Sequence, residues 1–426
     1  MKILISLAAS ITLATAAEKP NVIVIMTDDQ GSKDVNCYGA KDLVTPNMDK
    51  LAANGVKFEH FYSAAPVCCP SRAGFITGQH PWKVGVKSNI GINAEGMPSM
   101  YKTMGEYFKE AGYATAHIGK WHLGHHKGSV PNAQGFDFSF GHLVGCIDNY
   151  SHYFYWSGPN KHDLWENGKE VLHPGKFFPD LMRDKALDFT KKTDEPFFMY
   201  YAMNLPHYPY QAPTKWIEYY KDLKMPRKLY AAALSAVDEN LGQLLDGLKA
   251  QGKLENTIVV FMSDHGHSTE VRAFGGGGWA GEFRGAKFSL FEGGIRVPAM
   301  ISFPKLIPKG AVRQQMCSSL DWAPTLLDLC QIKYDAAKFD GKSIKPVLLE
   351  NAATPHEHLV WLDGKQSAVR MDKWKLVKNG QDSSGQGTPK DKGICLYDLS
   401  KDPGEKNDLS MKHPDIVLKM RDLLPK

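Results

Sequence analysis

"NVIVIMTDDQ", residues 21 to 30, is a continuous apolar run that ends in two carboxylates. A strand buried on both faces reads this way, so the stretch predicts a parallel strand with Asp28 and Asp29 at its carboxyl end. The design returns in "TIVVFMSDHG", residues 257 to 266, which delivers Asp264 and His265. In open α/β sheets, ligand sites collect beyond the carboxyl ends of strands. Two strands that both end in acid therefore point to one shared site.

Between these strands the pattern alternates. Thr45 and Pro46 open a helix that Gly55 closes, and a second helix is expected to begin at Pro70. Further helices are expected at 103–112, 178–192, 227–250 and 319–330, and strands at 113–119, 196–204 and 296–304. Such alternation predicts an α/β fold, a large, mainly parallel sheet between helices. After about residue 350 the pattern changes to short strands broken by turns, in "HLVWLDG", "SAVRMDKWKLVKN" and "GICLYDLS", then a last helix, "PDIVLKMRDLL". The expected division is 18–350 for the main domain and 351–426 for a small C-terminal α+β subdomain with an antiparallel sheet.

The first 17 residues read as a signal peptide: Lys2, an apolar run from Ile3 to about Leu13, and Ala14-Thr15-Ala16 as a cleavage site. That run falls short of the roughly 20 residues a spanning helix needs, and no later stretch comes close. The mature chain is thus expected to be exported, periplasmic or secreted, with no membrane span. Net charge is +5, and the lysines are spread along the chain rather than clustered, so nucleic acid is not an expected partner. Seven cysteines form no CxxC zinc pattern and no small-scaffold framework. Cys68 and Cys69 are neighbours, and consecutive α-carbons lie only about 3.8 Å apart, too close for an unstrained disulfide. The two need separate explanations, and whether the other cysteines pair is left open.

Asp28, Asp29 and Asp264 are three strand-end carboxylates expected to converge, which is costly unless a cation neutralises them. Oxygen ligands favour a hard ion, calcium or magnesium. "GYATAHIGKWHLG" (112–124) ends a strand with Lys120 and His122, and "NLPHYPYQAP" (204–213) ends another with His207. "RGAKFSLFEGGIRVP" (284–298) adds Arg284 and Lys287 in a glycine-flanked turn. Together they make a cationic pocket beside a metal, suited to a tetrahedral oxyanion and to charge developing on it.

At these residues the chain resembles the formylglycine-dependent sulfatases, type I and arylsulfatase-like, of the alkaline-phosphatase superfamily. "CCPSRAGFITG" (68–78) matches the family signature Cys-x-Pro-Ser-Arg, and "GYATAHIGKWHLG" the second signature. "PHYP", "SDHG", "EGGIRVP" and the tail "LYDLSKDPGEKNDLS" follow in the family's order. The resemblance covers the mature chain and implies the same fold as the pattern above. It further implies that Cys68 is converted to formylglycine by a dedicated generating enzyme before folding, while Cys69, at the variable position, is a small packing spacer. A hydrated aldehyde carries two hydroxyls on one carbon: one can attack sulfur, and the other can lose its proton, re-form the carbonyl and expel sulfate. By resemblance, one calcium ion (or magnesium) is held by Asp28, Asp29, Asp264, His265 and the modified Cys68. Arg72 orients the diol, Lys120 and Lys287 grip sulfate, His122 is the base, and His207, with Lys287, protonates the leaving alcohol. Many relatives carry asparagine where His265 stands, so His265 either ligates the ion or touches the diol or sulfate.

The implied activity is hydrolysis of sulfate esters, from a sulfated carbohydrate or an aryl sulfate. Two alternatives stay open from the sequence: a formylglycine-dependent phosphoesterase or phosphonate hydrolase, and a non-catalytic protein that binds sulfated glycans. The aromatic stretch "DNYSHYFYWSGPNKHDLWENG" (148–168) is either a wall of the subsite for the leaving group or a folded insertion.

Overall fold

A computed structural model describes residues 18–92, 94–155, 160–384 and 393–425. The expected signal peptide lies outside the described residues. The main sheet has ten strands: β1 (Asn21–Thr27), β2 (Val56–Phe58), β3 (Ala114–Lys120), β4 (Phe138–His142), β5 (Trp165–Glu166), β6 (Lys169–Glu170), β7 (Phe197–Ala202), β8 (Thr257–Ser263), β9 (Ala299–Ser302) and β10 (Ala311–Arg313). Their order is β10-β2-β9-β8-β1-β7-β3-β4-β5-β6. The five central strands, β8 to β4, run parallel, and β9 and β5 are antiparallel to their inner neighbours.

The continuous apolar runs follow from this position, since alternate side chains of each central strand enter two different cores. Ile23, Ile25, Tyr201 and Phe261 pack on one face with helices Phe178–Lys192 and Arg227–Ala250. Val24, Met26, Tyr200 and Val260 pack on the other with helices Cys68–Thr77 and Trp322–Leu329. Each such burial contributes roughly 1.5–3 kcal/mol, so neither face of β1 tolerates a polar substitution. The registers matter most for the site. β1 and β8 pair with Thr27 opposite Ser263, which sets Asp28 and Asp264 side by side at one sheet edge. Lys120 ends β3 at the same edge.

The helix expected from Pro70 starts two residues earlier, at Cys68. The first-turn amides of a helix have no intrahelical acceptor, so proline is tolerated anywhere in that turn and marks the start only loosely. All ten of its residues are buried. The C-terminal part forms a four-stranded antiparallel sheet, Leu359–Asp363, Gln366–Met371, Trp374–Lys378 and Ile394–Asp398, with helix Pro414–Arg421 on one face. Its other face, through Trp361, Ala368, Val377 and Tyr397, covers Leu290, Phe291 and Ile295 beside the Lys287 turn. Cys37, Cys68, Cys69, Cys146, Cys317 and Cys330 carry free thiols. No helix among the described residues is long and apolar enough to cross a membrane.

Candidate active site

Asp28 and Asp29 leave β1 into a turn in which Asp29 adopts a left-handed backbone, φ 61°. Three carboxylates converge there, and each meets a buried cation. Lys120 Nζ donates to Asp28 Oδ2 at 2.5 Å. Arg72 Nε and Nη2 donate to Asp264 Oδ2 at 3.1 and 2.9 Å. Lys287 Nζ donates to Asp29 Oδ2 at 3.1 Å. The remaining oxygens face a common space. Asp28 Oδ1 lies 3.7 Å from Cys68 Sγ, Asp264 Oδ1 lies 3.5 Å from His265 Nε2, and Asp29 Oδ1, ion-paired with Lys287 Nζ at 2.9 Å, lies 3.6 Å from His265 Nε2.

His265 completes this set. Its Nδ1 lies 2.9 Å from the Gly266 carbonyl and must carry the proton there. Nε2 therefore faces Cys68 Sγ at 3.3 Å and Asp29 Oδ1 at 3.6 Å; against burial, Asp264 and Cys68 raise the ring to about 9 in the protein alone, and a cation bound at Nε2 would take the place of that proton. Ligand atoms of Asp28, Cys68, Asp264 and His265 lie within 4.8 Å of one another, as do those of Asp28, Asp29, Cys68 and His207. The clustered carboxylate oxygens and the inward-facing Nε2 fit a divalent cation.

The electrostatics of the protein groups alone show the strain that an ion would relieve. Burial pushes Asp29 up to about 8, against the pull of Lys287. Burial and Asp28 push Asp264 up to about 6. Burial also works to raise Asp28, but Lys120, His207 and Arg72 override it and hold Asp28 well below the ordinary carboxylate range. At Cys68 burial is outweighed by Lys120 and Lys287, which bring the thiol down to about 6.

His122 and His207 flank the cluster. His122 is buried, its Nδ1 has no partner, and burial with Lys120 holds it well below its ordinary pKa. His207 Nδ1 lies 2.5 Å from the Tyr208 carbonyl, which leaves Nε2 facing Asp29 Oδ2 at 3.6 Å. Burial and Lys287 depress its pKa also. Both rings are neutral near pH 7. They open, with Cys68 and Lys287, onto a cavity of about 290 Å³ walled by Ile90, His125, Cys146, Phe154 and Phe288.

All eleven positions singled out from the motifs thus gather at one sheet edge, except Arg284. That guanidinium turns away from the cavity, pairs with Asp382 at 2.8 Å, donates to the Glu405 carbonyl and lies 3.9 Å over the Phe291 ring. A glycine-flanked turn does not determine which way its long side chains point, and this one goes to the C-terminal sheet. The 148–168 segment is divided: Phe154 reaches the cavity wall, whereas Asp148 accepts the Tyr150 and Ser151 amides and shapes its own turn. Residues 156–159 of that segment lie outside the described residues. Glu270 carries no sequence signal, yet its Oε2 accepts from Tyr208 at 3.0 Å and lies 3.5 Å from Lys287.

The sulfatase family model matches residues 20–332, and the model for the C-terminal part of N-sulphoglucosamine sulphohydrolase matches 281–425. The chain is 32% identical to arylsulfatase J of Mus musculus, over 94% of this chain and 74% of that protein. It is 29% identical to an N-acetylgalactosamine-6-O-sulfatase of Bacteroides thetaiotaomicron, over 96% and 93% of the two chains. The crystal structure of Ps i-CgsB in complex with k-i-k-neocarrahexaose superposes with a TM-score of 0.85 at 31% identity, covering 95% of this chain and 92% of that one. A carboxylate and lysine cluster of this kind, at the end of a mixed sheet and along a chain matched over nearly its whole length, makes the protein a member of the sulfatase family, a sulfuric ester hydrolase.

Proposed function

We propose that the protein removes sulfate from sulfated carbohydrates, through a formylglycine made from Cys68 and one calcium ion, with magnesium as a substitute. The convergence of Asp28, Asp29, Asp264, His265 and Cys68 beside two buried lysines carries this reading. Bound to those residues, the ion would lower the pKa of the nucleophilic hydroxyl and offset the charge of the sulfate. Conversion of Cys68 would supply two hydroxyls on one carbon, the first to attack sulfur and the second to release sulfate.

The chain's own groups divide the remaining work. Lys120 and Lys287, almost wholly buried, hold sulfate oxygens, and their charges count for more there than in water. Arg72, locked onto Asp264, keeps the nucleophile's hydroxyls in line. His122, neutral and unpartnered at Nδ1, takes the proton whose loss frees sulfate. His207 gives a proton to the leaving oxygen. Its pKa is depressed in the protein alone, and an ester anion beside it favours the imidazolium, so the substrate charges its own acid.

Sugar as the leaving group is supported by a cavity that sets His122, His125 and His207 beside Phe154 and Phe288, by the relative named for N-acetylgalactosamine 6-O-sulfate and by the neighbour solved with a neocarrahexaose. Export after removal of residues 1–17 brings the enzyme to such substrates. Residues 18–350 form the catalytic unit in this reading, and 351–426 the smaller subdomain. The test couples mass spectrometry of the residue 68 peptide with sulfate release from a panel of defined sulfated saccharides and matched phosphate esters. Protein fully converted at residue 68 that releases phosphate faster than sulfate, or releases neither, overturns the proposal.

A further inference from the structure

Cys69, read from the sequence as a spacer, is tied into the site. It is wholly buried in the first turn of helix Cys68–Thr77. Its Sγ–H donates to the His122 carbonyl at 2.8 Å, and its sulfur accepts from the Ile90 amide at 3.1 Å. Its own amide donates to Asn89 Oδ1 at 3.2 Å. One side chain therefore joins the helix that carries residue 68, the turn that carries His122, and the cavity wall at Ile90.

That turn needs holding. His122 has a left-handed backbone, φ 55°, a conformation strained for a residue with a β-carbon. On either side the backbone is tied down by other backbone: the Trp121 amide donates to the His142 carbonyl at 2.9 Å, and the Met97 amide to the Leu123 carbonyl at 2.7 Å. The His122 carbonyl between them has the Cys69 thiol. The imidazole itself packs against Gly145, where a β-carbon would stand 2.8 Å from His122 Cε1. With Nδ1 unpartnered, the ring takes no bearing from a hydrogen bond at that nitrogen.

We propose that Cys69 is a positioning residue for His122, acting through the paired hydrogen bonds of its thiol to the His122 carbonyl and the Ile90 amide. This rests on the reading of His122 as the base. A hydroxyl has the same donor and acceptor capacity, and a methyl-bearing side chain of similar size has neither.

The experiment compares Cys69→Ser, Cys69→Val and His122→Ala in the full chain, made with the generating enzyme present. Conversion of residue 68 is counted by mass spectrometry in each, so kcat is expressed per converted site and a maturation defect is not mistaken for a positioning one. The valine variant is expected to lose about tenfold or more in kcat, with KM within about threefold and an altered pH–rate profile, because a displaced base loses much of its contribution. The serine variant is expected to stay within about threefold of the parent in kcat and to keep the parent profile. Parent-like kcat and pH profile in the valine variant, while His122→Ala is inactive, overturn the proposal alone. Equal losses in the serine and valine variants overturn it too, since volume rather than hydrogen bonding would then govern. Full turnover by His122→Ala overturns the reading beneath it.

Discussion

Arg72 places both Nε and Nη2 on a single oxygen of Asp264, Oδ2, and leaves Oδ1 to the space shared with His265 and Cys68. Its third nitrogen, Nη1, reaches the Lys120 carbonyl and the Tyr200 hydroxyl, each at 3.3 Å. Lysine at this position keeps the charge but not the fixed spread of donors. Arg72→Lys is expected to lose at least about a hundredfold in kcat/KM. Arg72→Ala leaves Asp264 buried without its partner and is expected to destabilise the fold by about 3–5 kcal/mol. Urea unfolding of both variants beside their kinetics separates the two effects.

Metal removal is expected to act more strongly at high pH than at low. Burial raises Asp29 to about 8 and Asp264 to about 6, both above their unfolded values. Their contribution to stability is thus fully present below about pH 4 and is lost as pH rises through 6 and then 8. A divalent ion replaces the lost protons. At a hundredfold excess over Kd it adds about 2.7 kcal/mol, and its affinity falls as the carboxylates take protons. Thermal melts with calcium and with chelator are expected to diverge widely at pH 8 and little at pH 5. Equal gaps at both pH values would move the metal away from these carboxylates.

The C-terminal sheet holds the turn that carries Lys287. Ser383 Oγ donates to the carbonyls of Ala286 and Lys287 at 3.0 and 2.6 Å, and Gln366 Nε2 to that of Phe288 at 2.9 Å. Releasing those carbonyls would let the ammonium wander from the place proposed for the sulfate. Ser383→Ala and Gln366→Leu are each expected to weaken competitive inhibition by inorganic sulfate about three- to tenfold. A change in melting temperature with no change in that inhibition constant would reduce the contacts to fold stability.

The central strands were legible because burial on both faces writes continuous apolar runs, as at 21–27 and 257–263, and the carboxylates after them followed directly. β4 and the two-residue strands β5 and β6 were not, since a strand such as Phe138–His142, with Gly141 inside it, carries neither a long apolar run nor a clean alternation. Motifs locate the site's charged residues but not their directions, so Arg284 reads from the sequence as a pocket residue although it serves the C-terminal sheet. Ser383, Gln366 and Glu270 reach the Lys287 turn from distant parts of the chain. Such contacts depend on tertiary packing and leave no local spacing to read.

Lys375 is shared by two buried carboxylates, Glu292 and Glu405, each 2.9 Å from Nζ. One ammonium does not neutralise both. Burial lifts Glu405 to about 7 in spite of Lys375, while Lys375, Arg296 and Arg370 hold Glu292 at about 2 against its own burial. The Glu405 contribution is present below its unfolded pKa of about 4.3 and disappears as pH rises through about 7. Glu405→Gln mimics the protonated acid. It is expected to match the parent at pH 5 and to exceed it at pH 8 by on the order of 1 kcal/mol or more. Denaturant titrations at the two pH values check this, and a variant weaker at pH 8 would show that Glu405 is kept ionised.

If His207 delivers a proton to the departing oxygen, its value depends on how much that oxygen needs one. A sugar alkoxide is a poor leaving group, whereas a nitrophenolate leaves with its charge delocalised and without protonation. His207 Nε2 is the nitrogen free to act, because Nδ1 is committed to the Tyr208 carbonyl. His207→Ala is therefore expected to cost about 10²–10⁴ in kcat on a sulfated sugar and roughly tenfold or less on nitrophenyl sulfate. His122→Ala offers the contrast, since in the proposed mechanism breakdown of the sulfated enzyme would follow departure of the alcohol and be common to both substrates. Its loss is expected to be of similar size on the two. Equal losses from His207→Ala on sugar and aryl esters would assign His207 to holding sulfate beside Lys287 and Asp29 rather than to proton transfer.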